Sequence, residues 1–119
     1  MKISFIFLAV FFIVSCASNN PVLNQTCKVD LPIEDLIWLK AIKENFEKSV
    51  SLVKKEIILY EYNNAHVFLI DDCNNCADNL SRLYNCEGTI ICEFGGIAGV
   101  NTCADFEKNA IKIRVLWEN

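Results

Sequence analysis

The sequence predicts an α+β domain in which one N-terminal amphipathic helix lies on an antiparallel sheet of about four to five strands, the whole stapled by disulfides. Three observations carry this prediction. Helical periodicity occurs in one stretch, ahead of several segments that alternate in the manner of strands. Turn-forming residues separate those segments. Beyond residue 16, one short chain holds Cys27, Cys73, Cys76, Cys86, Cys92 and Cys103.

The chain opens with Met1-Lys2, an apolar run from Ile3 to Val14 interrupted only by Ser4, then Ser15 and Cys16. A charged start, about a dozen apolar residues and a small residue at the cut site describe a secretory signal peptide. The run is too short for a bilayer span, which takes about 20 apolar residues. Ile13-Val14-Ser15-Cys16 also resembles a bacterial lipobox, in which the cysteine is lipidated and becomes the first residue of the mature chain. The Cys16 thiol forms a thioether to a diacylglyceryl group, and cleavage before it frees an amine for a further acyl chain such as palmitate. A single chain, at about 0.8 kcal/mol per buried methylene, binds a membrane only reversibly, so two or three are needed to anchor durably. Ala17-Ser18-Asn19-Asn20-Pro21 follows as a small polar tether. The predicted organisation is therefore a signal peptide over 1–15, a lipidated N-terminus and tether over 16–30, and one α+β domain over 31–119.

Pro32 suits the first turn of a helix, Glu34 and Asp35 meet the positive end of its dipole, and Leu36, Leu39, Ile42 or Lys43, and Phe46 recur at helical spacing. This predicts a helix from about Pro32 to Lys48 with Trp38 on the flank of its apolar stripe. From Glu56 to Tyr62, Ile58, Tyr60 and Tyr62 alternate with Ile57, Leu59 and Glu61, and Asn63-Asn64 tolerates the positive φ of a tight turn. His66 to Ile70 returns as the second strand. Asp71 to Asn79 is a polar loop holding Cys73 and Cys76. Leu83-Tyr84 and Thr89 to Phe94 flank Asn85-Cys86-Glu87-Gly88 as a second hairpin. Gly95 to Gly99 is a bent connector, and Thr102 to Asn109 a turn or short helix. In the last strand Ile111, Ile113, Val115 and Trp117 are expected on one face and Lys112, Arg114 and Glu118 on the other, with Leu116 breaking the alternation.

Once residues 1–15 are removed, the balance is ten basic against fifteen acidic side chains, since of the eleven basic residues only Lys2 leaves. A surface about five charges negative offers nothing to nucleic acid and is repelled by anionic lipid, so membrane affinity falls to the acyl chains on Cys16. Six cysteines in an exported chain read as three disulfides, with fifteen possible pairings. The expected set is Cys76 with Cys86, Cys73 with Cys92, and Cys27 with Cys103. Chain entropy assigns these loops of about 10, 20 and 77 residues roughly 2.7, 3.3 and 4.5 kcal/mol.

Catalytic and metal chemistry find little support in the residues. Cys73-Asn74-Asn75-Cys76 has the first-half spacing of a zinc site but no second close pair, and it lacks the helix N-terminus that activates redox-active thiols. His66 is the single histidine, near a hairpin turn, with Glu61 and Asp71 as its nearest acids. Asp71, Asp72 and Asp78 lack the ordered ligand spacing of a calcium loop. No catalytic residue, no metal ligand set and no cofactor is assigned.

From Pro32 to Trp117 the chain resembles an uncharacterised domain-of-unknown-function family of small lipoproteins from Bacteroidota-type bacteria. Trp38-Leu39, Tyr60-Glu61-Tyr62, Asp72-Cys73, Leu83-Tyr84, Gly88, Cys92, Gly95-Gly96-Ile97, Gly99, Cys103, Asp105-Phe106 and Leu116-Trp117 carry that resemblance. It implies organisation rather than an activity. Two features depart from the family pattern: Gly99 to Cys103 is shorter and lacks an acidic residue, and Cys76 and Cys86 are additions whose joint presence favours their pairing.

The expected function is that of a lipid-anchored, non-catalytic module in the bacterial cell envelope, at the outer rather than the inner membrane, which presents a rigid surface to a protein or peptide partner. An inhibitor-like role is one version of it. Loops on a rigid scaffold carry contacts, which singles out Asp71 to Asp78 and Gly95 to Asn101, with Asp71, Asp72, Gly95, Gly96 and Asn101 as binding residues. The competing expectation is a carrier of a small molecule or metal, with a concave pocket lined by aromatic residues such as Tyr60, Tyr62, Phe68, Tyr84 and Trp117.

Overall fold

The computed structural model describes residues 26–74 and 76–119. The predicted signal peptide, Cys16 and most of the tether lie outside the described residues. The elements run α1 (Pro32–Asp35), α2 (Ile37–Lys48), β1 (Glu56–Tyr62), β2 (Ala65–Asp71), β3 (Leu80–Tyr84), β4 (Ile90–Gly95), β5 (Val100–Asn101), α3 (Phe106–Asn109) and β6 (Ile111–Glu118). All strand pairs are antiparallel, and the sheet order is β5-β4-β3-β2-β1-β6. No helix among the described residues is long and apolar enough to cross a membrane.

The structure is a mixed helix and sheet domain with an antiparallel sheet, but with six strands rather than four or five. The added strand is β5. Gly95, Gly96 and Gly99 all take positive φ, which turns the chain back so that Val100 and Asn101 pair with Gly95 and Phe94 where the sequence suggested only a bent connector.

The expected helix over 32–48 is broken at Leu36, whose φ of −87° and ψ of 103° are extended. The first turn closes on itself because the Leu31 amide donates to the Asp35 carboxylate at 2.9 Å. The chain then restarts, with Leu39 and Lys40 amides donating to the Leu36 carbonyl. The break lets Ile33, Leu36 and Leu39 all reach one core, at the expense of Ile37, which is left 86% exposed.

That core lies between α2 and one face of the sheet. Leu39, Ile57, Leu59, Phe68 and Ile70 are buried there, with Trp38, Phe46, Tyr84 and Trp117 packed around them. The Trp38 ring meets Phe68 edge-on at 5.4 Å and stacks on Tyr84 at 5.5 Å, and its indole N–H donates to the Cys86 carbonyl at 3.0 Å. Gly88 is required beside it: φ is +81°, and a Cβ there would come within 2.7 Å of the indole.

The opposite face has its own cluster of Tyr62, Val67, Leu83, Cys92 and Phe106. Phe106, on α3, contacts Tyr60, Tyr62 and Phe94 at ring distances of 5.1, 5.3 and 5.4 Å. Of the five aromatics considered for a groove, Phe68, Tyr84 and Trp117 thus pack under α2, and Tyr60 and Tyr62 under α3.

The Tyr62 hydroxyl donates to Asp105 Oδ1 at 2.6 Å, and Asn109 Nδ2 donates to the other carboxylate oxygen at 3.1 Å. The bond to Tyr62 holds the Asp105 carboxyl below its ordinary 3.8, and the same bond, reinforced by burial, holds the Tyr62 phenol above its ordinary 10.0. A depressed carboxyl contributes stability above its unfolded value that is lost as pH falls through the folded one; a raised phenol contributes below its unfolded value and is lost at higher pH. The clamp on α3 should therefore be fully present between 3.8 and 10.0 and weaken on both sides. Urea midpoints of wild type and Tyr62→Phe should converge well below that range; an equal gap at acid and neutral pH would contradict the assignment.

β6 departs from simple alternation. Ile57 faces Trp117 and Ile58 faces Val115, while Leu59 faces Arg114 and Tyr60 faces Lys112, so Leu116 and Ile113 are each skipped in the register with β1. The first of these irregularities, at Leu116, places Val115 and Trp117 on opposite faces, correcting the expectation that they share one.

The disulfide pairing is also corrected. The bridges are Cys27–Cys86, Cys73–Cys76 and Cys92–Cys103, with Cα separations of 5.5, 5.4 and 5.6 Å. The expected pairs are excluded by geometry. Cys76 and Cys86 lie off opposite ends of β3, whose five residues span about 17 Å, beyond the roughly 7 Å that a bridge tolerates between Cα atoms. Cys92 sits opposite Leu83 inside the sheet, whereas Cys73 lies past the end of β2. Cys27 packs with the α2-side core and Cys103 with the opposite cluster, so the sheet stands between them.

Candidate functional site

The sheet has two distinct ends. Glu56, Asp71, Gly95 and Glu118 mark one; Tyr62, Ala65, Tyr84 and Ile111 mark the other. Thr26 and Cys27 are tied to the second end through Cys86. The loops at 72–79 and 96–99 emerge at the first, about 23 Å away along a seven-residue strand.

These two loops touch. The Gly96 amide donates to the Asn79 carbonyl at 2.6 Å, and a Cβ on Gly95 would overlap that same carbonyl oxygen. The structure thus brings Asp72, Gly95 and Gly96 to one end of the sheet. Asp71 has another role: it is buried, and its Oδ1 accepts from the Cys73 amide at 3.0 Å and from Asn79 Nδ2 at 2.5 Å, which closes the loop from within. Asn101 likewise works locally, its Oδ1 accepting from the Cys103 amide at 3.1 Å. Asp72 and Ile97, the latter 90% exposed, project from the joined loops.

Beside them, between α2 and β2–β3, lies a cleft of about 180 Å³. Ile42, Phe46, Ile70, Leu80 and Tyr84 give it an apolar lining, and Asn45, Asp72 and Arg82 add polar groups. The cleft lies where α2 carries Ile42 and Phe46 over Ile70 of β2 and Leu80, Arg82 and Tyr84 of β3. The Arg82 guanidinium is already engaged, Nε donating to Glu93 Oε1 at 2.9 Å, which leaves Asp72 as the uncompensated charge among these lining groups.

The cleft can hold an apolar group and hydrogen-bond what surrounds it, but its lining offers no thiol, hydroxyl nucleophile or imidazole apart from the Tyr84 phenol. His66 lies elsewhere, opposite Glu61 in the β1–β2 hairpin. All six candidate cysteines are in bridges. Among the described residues no three His, Cys, Asp or Glu side chains converge to hold a metal ion.

Sequence reasoning found Asp72 but not the cleft. Ile42 and Phe46 were visible as a helical stripe, and Arg82, a charge set inside the apolar strand Leu80–Tyr84, was the available signal that this strand borders a polar opening.

Neither a curated protein nor a solved structure matches the chain. A match to a family of domains does exist; it begins inside α2, so Trp38 and Leu39 precede it, while the sheet, both loops and every cleft residue except Ile42 fall within it. The chain belongs to the family described as domain of unknown function DUF6970, whose model matches residues 43–119.

Proposed function

We propose that the protein is a non-catalytic interaction module of a Bacteroidota-type cell envelope, anchored by acyl chains on Cys16 after removal of residues 1–15, that engages a protein or peptide partner through the cleft and the joined loops. The size of the cleft is the observation that carries this reading. Sites for small molecules and cofactors enclose about 300–1,000 Å³, so a hollow of about 180 Å³ favours one side chain of a larger partner over a free ligand. A carrier of a small molecule is correspondingly disfavoured.

The placement of the ends supports the same reading. A tether joined to Cys27 enters at one end of the sheet, so an outer-membrane anchor on Cys16 would leave Asp72, Ile97 and the loop side of the cleft facing away from the lipid. Contacts there compete least with the membrane.

A pull-down from the native envelope tests it. Wild type and Cys16→Ala should enrich the same partner, and Asn45→Trp, which fills the cleft from an exposed helix position, should lose it. Equal enrichment by Asn45→Trp, or enrichment that vanishes with Cys16→Ala, would overturn the proposal.

A further inference from the structure

We infer that β6 is a self-association edge, at which two copies of this chain pair antiparallel and join their sheets. β6 is the terminal strand next to β1, and among the described residues its outer side has no neighbour in the sheet. It is eight residues long, against two for β5 at the other edge. Ile111, Ile113 and Val115 are 64, 43 and 37% exposed along it. A long edge strand with exposed branched residues invites a further strand, and proteins blunt such edges with charge and with bulges.

Both devices are present, yet the charges are arranged to select a register. Lys112 and Glu118 lie three residues to either side of Val115. A two-fold axis through Val115 therefore sets each Lys112 opposite the other copy's Glu118 and Val115 opposite itself. The register with β1 puts Lys112, Val115 and Glu118 on one face, since they stand beside Tyr60, Ile58 and Glu56. The pairing thus brings opposite charges and a branched pair together on a common surface, the arrangement that stabilises cross-strand neighbours. Displacing the axis to Ile113 would instead oppose Lys112 to Arg114, so the charges disfavour that alternative.

The other face also has room for a second strand. Between α1 and β6 lies a shallow groove of about 260 Å³, bordered by Leu31, Ile33, Glu34, Arg114, Val115 and Leu116, where Leu31 is 62% exposed. Side chains of an added strand would enter it. The cleft between α2 and β3 lies three strands from this edge, so self-association leaves it open.

Sedimentation of the mature, disulfide-intact chain should show a dimer, and Val115→Cys should cross-link between copies under mild oxidation, because directly opposed Cβ atoms lie about 4.5–5.5 Å apart. Ile97→Cys, exposed at the sheet end, serves as the background control. Lys112→Glu should raise the dimer dissociation constant at least tenfold, and Lys112→Glu/Glu118→Lys should restore it. A chain that stays monomeric at high micromolar concentration overturns the inference, including the case in which this edge takes a strand from a different protein. A dimer that cross-links no better at Val115→Cys than at Ile97→Cys overturns it as well.

Discussion

Replacing Cys27 and Cys86 together by serine should lower the unfolding free energy by about 4 kcal/mol, roughly twice the loss expected for Cys73→Ser/Cys76→Ser. The two bridges differ chiefly in the chain they close. Cys27 and Cys86 are 59 residues apart and Cys73 and Cys76 only 3, and the loop-closure entropy removed from the unfolded ensemble grows with the logarithm of that length. Native packing adds to the difference. Cys27 and Cys86 lie against the α2-side core, and the Cys86 carbonyl accepts the Trp38 indole N–H. The short bridge sits in a loop that hydrogen bonds already close: Cys73 N–H to Asp71, Asn79 Nδ2 to Asp71, and Asn74 N–H to the Lys54 carbonyl. Urea unfolding followed by tryptophan fluorescence, with the remaining bridges intact in each variant, measures both losses. Equal losses would show that the short bridge is as structural as the long one.

The contrast also shows what the sequence could disclose. Pairs of adjacent elements were legible because their signals are local. Asn63 and Asn64 do take positive φ, at 51° and 60°, and β1 spans the predicted Glu56 to Tyr62. Which cysteines meet was not legible, because a bridge depends on which face and which end of the finished sheet each sulfur occupies. Cys92 points to the face opposite α2 only because Ile91 is skipped between the Tyr84–Ile90 and Leu83–Cys92 pairs of β3 and β4, which sets Cys92 beside Leu83.

The same limit applies to β6. Its apolar alternation is plain in the sequence, but the skipped Leu116 that divides Val115 from Trp117 arises from pairing with β1. The cleft is a third case. Its lining comes from α2, β2, β3 and the loop after β2, segments whose approach no local pattern specifies. Asp72 was found because a polar loop next to cysteines is visible locally; Arg82 and Asn45 join it only once the helix is laid on the sheet.

Phe68→Ala should cost about 3–5 kcal/mol, the range for removing a fully buried aromatic side chain. Phe68 is 0% exposed, on β2 in the interior of the sheet, with Leu59 opposite it on β1 and Tyr84 on β3. Its ring also receives Trp38 edge-on, so its removal takes away the aromatic contact that seats α2 along with the apolar burial. The void would open where Leu39, Ile57 and Leu59, each at most 1% exposed, are already packed and have little freedom to close it. Because small domains are stable by only about 5–15 kcal/mol, this substitution should lower the urea midpoint steeply and reduce the near-ultraviolet signal of Trp38 even before unfolding. Ile97→Ala, at a side chain 90% exposed, should stay within about 0.5 kcal/mol of wild type. A loss at Phe68 below about 1 kcal/mol, far under the range for such truncations, would mean that α2 is not held on the sheet by this contact, and the cleft that depends on its placement would have to be redrawn.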